Sequence, residues 1–247
     1  MITPVLHVFA ISHYCEKARW ALDYLGVDYR LTHLAPGPHI RLARELGVAD
    51  TTLPILVDGD FALQGSAQIV DWAQVQSSSA THNLAVDDDQ AGREIEQRLD
   101  DVFGVHVRRY YYSDALVTQA QSVKPMFTRN LPWQQRLILH LAWGKIVKLM
   151  IRGMDLGAPQ RLESRQIVET ELDWLDGLLA DGRQYLLGDH FSRTDLCAAS
   201  LLAPLALPAQ HPAYNHLQVP AATAADLEIW KQRPCVQWVR EMYRRYR

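Results

Sequence analysis

Cysteine is scarce in this 247-residue chain: Cys15, Cys197 and Cys235 are the only three, and they lie far apart. They form neither a CxxC pair nor a metal-ligand spacing, which excludes a disulfide framework and a cysteine-built metal centre and points to a reducing cytoplasm. Excess charge of one sign is also missing. A formal net charge of -3 and a pI near 6.4 leave no face-wide surplus of Lys and Arg for nucleic acid. The short basic cluster Arg240, Arg244, Arg245 and Arg247 reads as a solvated helix end, where positive charge suits the macrodipole. No segment reaches the roughly 18 uncharged apolar residues of a membrane span, and the first ten residues lack a basic start and a long apolar stretch, so they do not read as a signal peptide. No internal repeat is visible. The expectation is a soluble, cytoplasmic protein with no nucleic-acid and no membrane partner.

What is present is apolar pattern. At 48% hydrophobic residues the chain can bury a substantial core as one large or two ordinary domains. Residues 5–10 are short, apolar and β-prone; a polar turn at Ser12 and His13 follows, then a helix ended by Gly26. Cys15, Ala18, Leu22 and Leu25 recur at three- and four-residue steps and give that helix one buried face. Residues 29–33 read as a second strand, 41–46 as a short helix stopped by Gly47, and 55–57 as a third strand. Asp58-Gly59 signals a hairpin into residues 61–63, and Ser66 caps a helix running to residue 75. The order β-α-β-α-β-β-α predicts a parallel first strand pair and an antiparallel hairpin.

Residues 77–89 turn polar, with three consecutive serines, and separate a domain at 1–78 from one at 88–247. The second domain reads as all-helical: a long charged helix over 89–113, apolar-striped helices over 133–154 and 159–179, and a capped helix over 192–207. In that cap Ser192 stands at the N-cap and Asp195 three residues in. A Pro-rich loop spans 208–220, and helices lie either side of Pro234.

Three motifs resemble the glutathione transferases. Ser12-His13-Tyr14-Cys15-Glu16-Lys17-Ala18-Arg19 is similar to the family's active-site turn and first helix. Leu53-Pro54-Ile55-Leu56-Val57-Asp58-Gly59, followed by Leu63, Ser66 and Ile69, resembles its second signature, and Gly188-Asp189 with residues 192–195 resembles a capped helix of its C-terminal domain. The resemblance implies an α/β thioredoxin-like N-terminal domain and an all-α C-terminal helical bundle. It also implies reduced glutathione as co-substrate, no metal, a homodimer and a detoxification role.

Carried residue by residue, it makes Ser12 the catalytic hydroxyl that favours the thiolate. The backbone of Leu53, before a cis Pro54, pairs with the cysteinyl unit of glutathione. Gly65 and Ser66 hold the γ-glutamyl end at a helix N-terminus, and His39 and Arg41 neutralise the glycyl carboxylate. The electrophile falls to His13 and to a stripe of His106, Tyr110 and Ser113 facing an interdomain cleft. The sequence departs from the family pattern at Gly65, often Glu, and at His13, often Pro. Three readings stay open: a transferase conjugating glutathione to small apolar electrophiles, a thiol-disulfide oxidoreductase acting through Cys15, and a non-catalytic binding protein.

Overall fold

The computed structural model describes residues 3–79, 82–86, 89–214 and 217–247. Parts of the polar linker and of the Pro-rich loop, residues 80–81, 87–88 and 215–216, lie outside them. The described residues group into two compact units, Met1–Asn83 with Lys124–Ile146, and Leu84–Val123 with Val147–Arg247.

In the first unit, β1 (Val5–Val8), β2 (Arg30–His33), β3 (Ile55–Asp58) and β4 (Phe61–Gln64) form one sheet in the order β2-β1-β3-β4. β1 pairs with β2 in parallel, with Val8 opposite His33; β1–β3 and β3–β4 are antiparallel. This is the thioredoxin-like arrangement that the order of elements predicts. A parallel pair needs a crossover, which α1 (His13–Tyr24) supplies, whereas Asp58 and Phe61 pair directly across the two-residue hairpin turn.

α1 packs against α3 (Ser66–Gln76). Cys15, Ala18, Leu22 and Leu25 of the predicted stripe are all buried, as are Ile69, Val70 and Ala73 opposite them. α2 (Pro38–Glu45) begins with proline in its first turn, where the missing N–H has no intrahelical partner to lose.

The long helix predicted over 89–113 is three segments: α4 (Asp89–Arg98), a π-helical turn at Leu99–Phe103, and α5 (Gly104–Thr118). α6 (Ala120–Thr128) is a helix that sequence reading missed, because Pro125 in its interior reads as a breaker. α7 (Trp133–Gly153) and α8 (Ala158–Leu178) match the predicted helices closely.

In the second unit α5 packs along α8, and α9 (Arg193–Ala206) packs on α11 (Pro234–Tyr246), with α10 (Ala221–Trp230) between these helices in chain order. α9 is buried on every side from Thr194 to Ala206, as an element hydrophobic all round must be. Its predicted cap is a full capping box: Asp195 accepts from the Ser192 N–H at 2.9 Å, the Ser192 hydroxyl at 2.7 Å and the Leu186 N–H at 2.8 Å. Burial raises the Asp195 carboxyl above the ordinary Asp range despite these donors. No described helix is long and apolar enough to cross a membrane.

Candidate active site

Sheet register gathers four chain turns at one end of the first unit. Val8 ends β1 opposite His33, and Leu34 N–H donates to Val8 C=O at 3.0 Å, so the segments leaving β1 and β2 emerge side by side. Antiparallel pairing sets His7 against Ile55 and Ile55 against Gln64. The entry to β3 and the exit from β4 therefore lie at the same end. Ser12, Leu53–Pro54, Ser66 and the loop before His39 thus share one edge of the sheet, although they are spread over more than fifty residues of sequence.

Ser12 is the N-cap of α1, half-buried, with its side-chain oxygen accepting from the Cys15 N–H at 3.3 Å. It stands where the unpaired N–H groups and the dipole of a twelve-residue helix favour an anion. Cys15 turns inward, buried, and its Sγ accepts from the Phe9 N–H at 3.4 Å. Burial pushes its thiol up to about 12, against the opposing pull of the Ser12 hydroxyl and the Phe9 N–H. The thiol therefore stays protonated at neutral pH. His13, given to the electrophile by resemblance, is buried on the first turn of α1 with its ring 4.6 Å from that of Tyr14.

The Leu53–Pro54 peptide is cis, as the motif implies. Gln64 holds the preceding loop: its amide nitrogen donates to the Asp50 and Thr52 carbonyls at 2.7 and 3.0 Å, and its oxygen accepts from the Asp50 N–H at 2.8 Å. Sequence reading gave Gln64 no such role, since a clamp across twelve or more residues leaves no periodic trace.

Gly65 N–H donates to Pro54 C=O at 3.0 Å, which ties the cis-proline turn to the start of α3. Its φ of +98° is a region that L side chains rarely adopt and that glycine enters without strain; a Cβ there would also meet the Gln68 side-chain oxygen at 2.5 Å. Gly65 offers α3 no side-chain cap, and Ser66, buried, opens the helix. The N-terminus of α3 thus carries the polarity of an anion site.

Of the two residues expected at the glycyl carboxylate, His39 packs against Phe9 and Arg41 is exposed on the same helix. The His39 ring meets Phe9 edge-on at 4.8 Å, and its Nδ1 accepts from the Gly37 N–H at 3.0 Å. That bond assigns the neutral ring an Nε2–H donor, and burial lowers its pKa. Arg41 is exposed and pairs with Glu45 one turn on, at 2.6 Å.

Against the β1–α1 segment lies an apolar crevice lined by Phe9, Ala10, Ile11, Met126, Phe127 and Leu131, with an accessible volume of about 10 Å³, room for about one water. The residues from α6 and the turn after it were not among the predicted site residues; α6 had no visible period. Gln135 of α7 also reaches this region, its side-chain oxygen accepting from the Ala35 N–H at 2.8 Å. A wider, open depression of about 450 Å³, lined by Arg19, Asp23, Asp28 and Tyr29, sits at the other end of α1.

The predicted stripe on α5 faces its neighbours within the second unit, with Tyr110 buried and His106 half-buried. His106 Nδ1 lies 3.1 Å from the Oγ of fully buried Ser164 on α8. Tyr110, fully buried, donates its hydroxyl to Asp226 at 2.6 Å beneath the Arg161 guanidinium. Ser113 Oγ accepts from the Gly157 N–H at 3.3 Å. Glu96, Asp100 and Cys197 place potential ligand atoms within 4.8 Å of one another, but the Glu96 carboxylate is already held by Arg193 at 2.7 and 3.2 Å, so the cluster reads as an ion pair with neighbours.

Residues 6–79 match the family model described as glutathione S-transferase, N-terminal domain. Among solved structures, glutathione transferase GSTFuA3 from Phanerochaete chrysosporium superposes with a TM-score of 0.61 at 15% identity, covering 100% of this chain and 98% of that one. A glutathione S-transferase from Methylobacterium radiotolerans in complex with glutathione sulfonate gives 0.54 at 19% identity, covering 96% and 93%. One from Methylobacillus flagellatus with glutathione bound gives 0.56 at 18% identity, covering 97% and 93%. No curated protein matches the chain. Residues 6–79 thus resemble a glutathione S-transferase N-terminal domain, and the chain as a whole has the glutathione transferase fold.

Proposed function

We propose that the chain is a glutathione transferase: it binds reduced glutathione at the shared sheet edge of the first unit and directs its thiolate at a small apolar electrophile. The observation that carries this reading is the convergence of two helix N-termini, each opened by a serine, with a cis-proline turn between them in space. The γ-glutamyl carboxylate sits at the N-terminus of α3 against Ser66, beside Gly65. The Leu53 backbone, before Pro54, pairs with the cysteinyl unit. The glycyl carboxylate takes the His39 Nε2–H, a neutral donor, and Arg41 stays outside the site.

At Ser12 the hydroxyl oxygen already accepts the Cys15 N–H, which leaves its proton to turn towards the glutathione sulfur and stabilise the thiolate. The thiol gives up its proton to solvent water, and the sulfur then forms a bond to the electrophilic carbon. In a substitution the leaving group departs with its electron pair; in an addition the carbanion takes a proton from water. The nucleophile comes with the co-substrate, so the protein supplies position and negative-charge stabilisation.

The electrophile approaches beside Phe9 and Ile11, where the mostly apolar crevice with Phe127 and Leu131 borders the Ser12 turn. Gly65 offers no side chain to pair with the γ-glutamyl amine, and glutathione affinity is accordingly modest. A homodimer in the cytoplasm serving detoxification completes the reading. Calorimetric titration tests it: glutathione binds with unit stoichiometry, and Ser66→Ala weakens binding. Failure to bind at millimolar glutathione would sink the proposal.

A further inference from the structure

Between Asp114 and Asp155 the chain has no acidic residue, yet it carries Lys124, Arg129, Arg136, Lys145, Lys148 and Arg152. Those six come from 25 cations in the chain, whereas all 28 acidic residues lie elsewhere. The structure puts half of them on one exposed face. Helix α7 buries Leu139, Trp143 and Val147, so the residues opposite that side face solvent. Along the outward side, Trp133, Leu137, Ile138 and Leu141 form an apolar patch, with Trp133 69% and Leu141 78% exposed. Lys145, Lys148 and Arg152 continue the same side around exposed Leu149 and make no ion pair among the described residues.

We infer that the outward face of α7 docks on a lipid surface containing anionic headgroups. Its composition, a tryptophan and leucines with lysines among them, is that of a helix lying in the plane of an interface, where apolar side chains enter the acyl boundary and lysine stems reach back to phosphates. Charge selects this occupant over the others. A second copy seated over the whole stripe would bury Lys145, Lys148 and Arg152 against apolar side chains or one another, because a two-fold interface is self-complementary and the helix carries no acidic residue to receive them. A protein partner is disfavoured by Lys145 and Lys148 within the stripe, since lysine is depleted from the buried centres of protein interfaces. Surface docking needs no membrane span, and it departs from the expectation of no membrane partner drawn from hydropathy alone.

The full chain is mixed with vesicles of phosphatidylcholine alone, or of phosphatidylcholine with phosphatidylserine, and sedimented at low and high salt. Expected is binding to the anionic vesicles only, weakened by salt, with a blue-shifted tryptophan emission that Trp133→Phe removes. Each cation near an anionic surface is worth about fivefold in affinity, about 1 kcal/mol, so Lys145→Gln/Lys148→Gln/Arg152→Gln lowers binding about 100-fold. Leu137→Gln/Leu141→Gln abolishes it, and both variants keep the parent's circular dichroism and melting temperature because every altered side chain is exposed. No sedimentation with anionic vesicles at low salt overturns the inference, as does undiminished binding by both variants. A dimer broken by Leu141→Gln, or capture of an acidic protein, without vesicle binding overturns it equally.

Discussion

Ser12→Ala separates two jobs that one hydroxyl performs. As N-cap of α1 the Ser12 oxygen accepts a single bond from Cys15 N–H, long at 3.3 Å. Losing an N-cap costs about 0.5–2 kcal/mol, and the length of this bond puts it near the lower end, about 1 kcal/mol. In a chain of this size that lowers the melting temperature by about 2–4 °C. With total stability of about 5–15 kcal/mol, such a loss leaves essentially every molecule folded at 25 °C, so unfolding contributes nothing measurable to a rate. Loss of a preorganised donor to a developing anion, by contrast, lowers kcat about tenfold to a thousandfold.

The assay is conjugation of glutathione to an aromatic chloride across a range of pH, run beside thermal melts of the same preparations. Ser12→Ala should melt a few degrees lower, lose at least tenfold in kcat, and shift the acidic limb of the rate profile to higher pH as the bound thiol reverts towards its free pKa. Ser12→Thr keeps both oxygen and proton and should retain the cap and most of the rate. A Ser12→Ala protein with lower melting temperature and full conjugating activity would mean that the hydroxyl is only a cap, and the proposed chemistry would be wrong.

The remaining expectations are structural and chemical. Cys15→Ala should leave conjugation within a few fold of the parent and reveal no disulfide reductase activity, because the thiol is buried with its pKa pushed up to about 12; rapid glutathione-dependent reduction of a mixed disulfide that Cys15→Ala abolishes would establish the redox reading instead. Asp195→Ala removes the acceptor of two buried N–H groups and one hydroxyl, a loss of about 3–5 kcal/mol in urea unfolding, and a change below about 1 kcal/mol would refute that role. His7, His33, His39 and His106 all have pKa values lowered, burial being the largest cause in each. The unfolded chain, with histidines near 6.5, therefore binds more protons as pH falls. Stability is present above that value and declines below it, so the urea midpoint should drop between about pH 7.5 and about pH 5.5, and a constant or rising midpoint would contradict the burial argument.

By itself the sequence determined the elements whose signals are local. The period of Cys15, Ala18, Leu22 and Leu25 announces both α1 and its buried face; Asp58-Gly59 announces the hairpin; Ser192 and Asp195 announce a cap whose partners are within three residues. The order of these elements dictates a parallel pair and an antiparallel one, and Leu53-Pro54 marks the cis peptide. Tertiary structure alone decided which face meets what. The three- and four-residue spacing of His106, Tyr110 and Ser113 shows that they share a side of α5, but only packing turns that side onto α8, with Asp226 and Ser164 to satisfy its polar atoms. Likewise Gln64 clamps a loop twelve and more residues back, and Phe127 lines a crevice with Phe9 across more than a hundred residues. Contacts between segments so far apart are set by how the elements pack in space, and no local spacing records them.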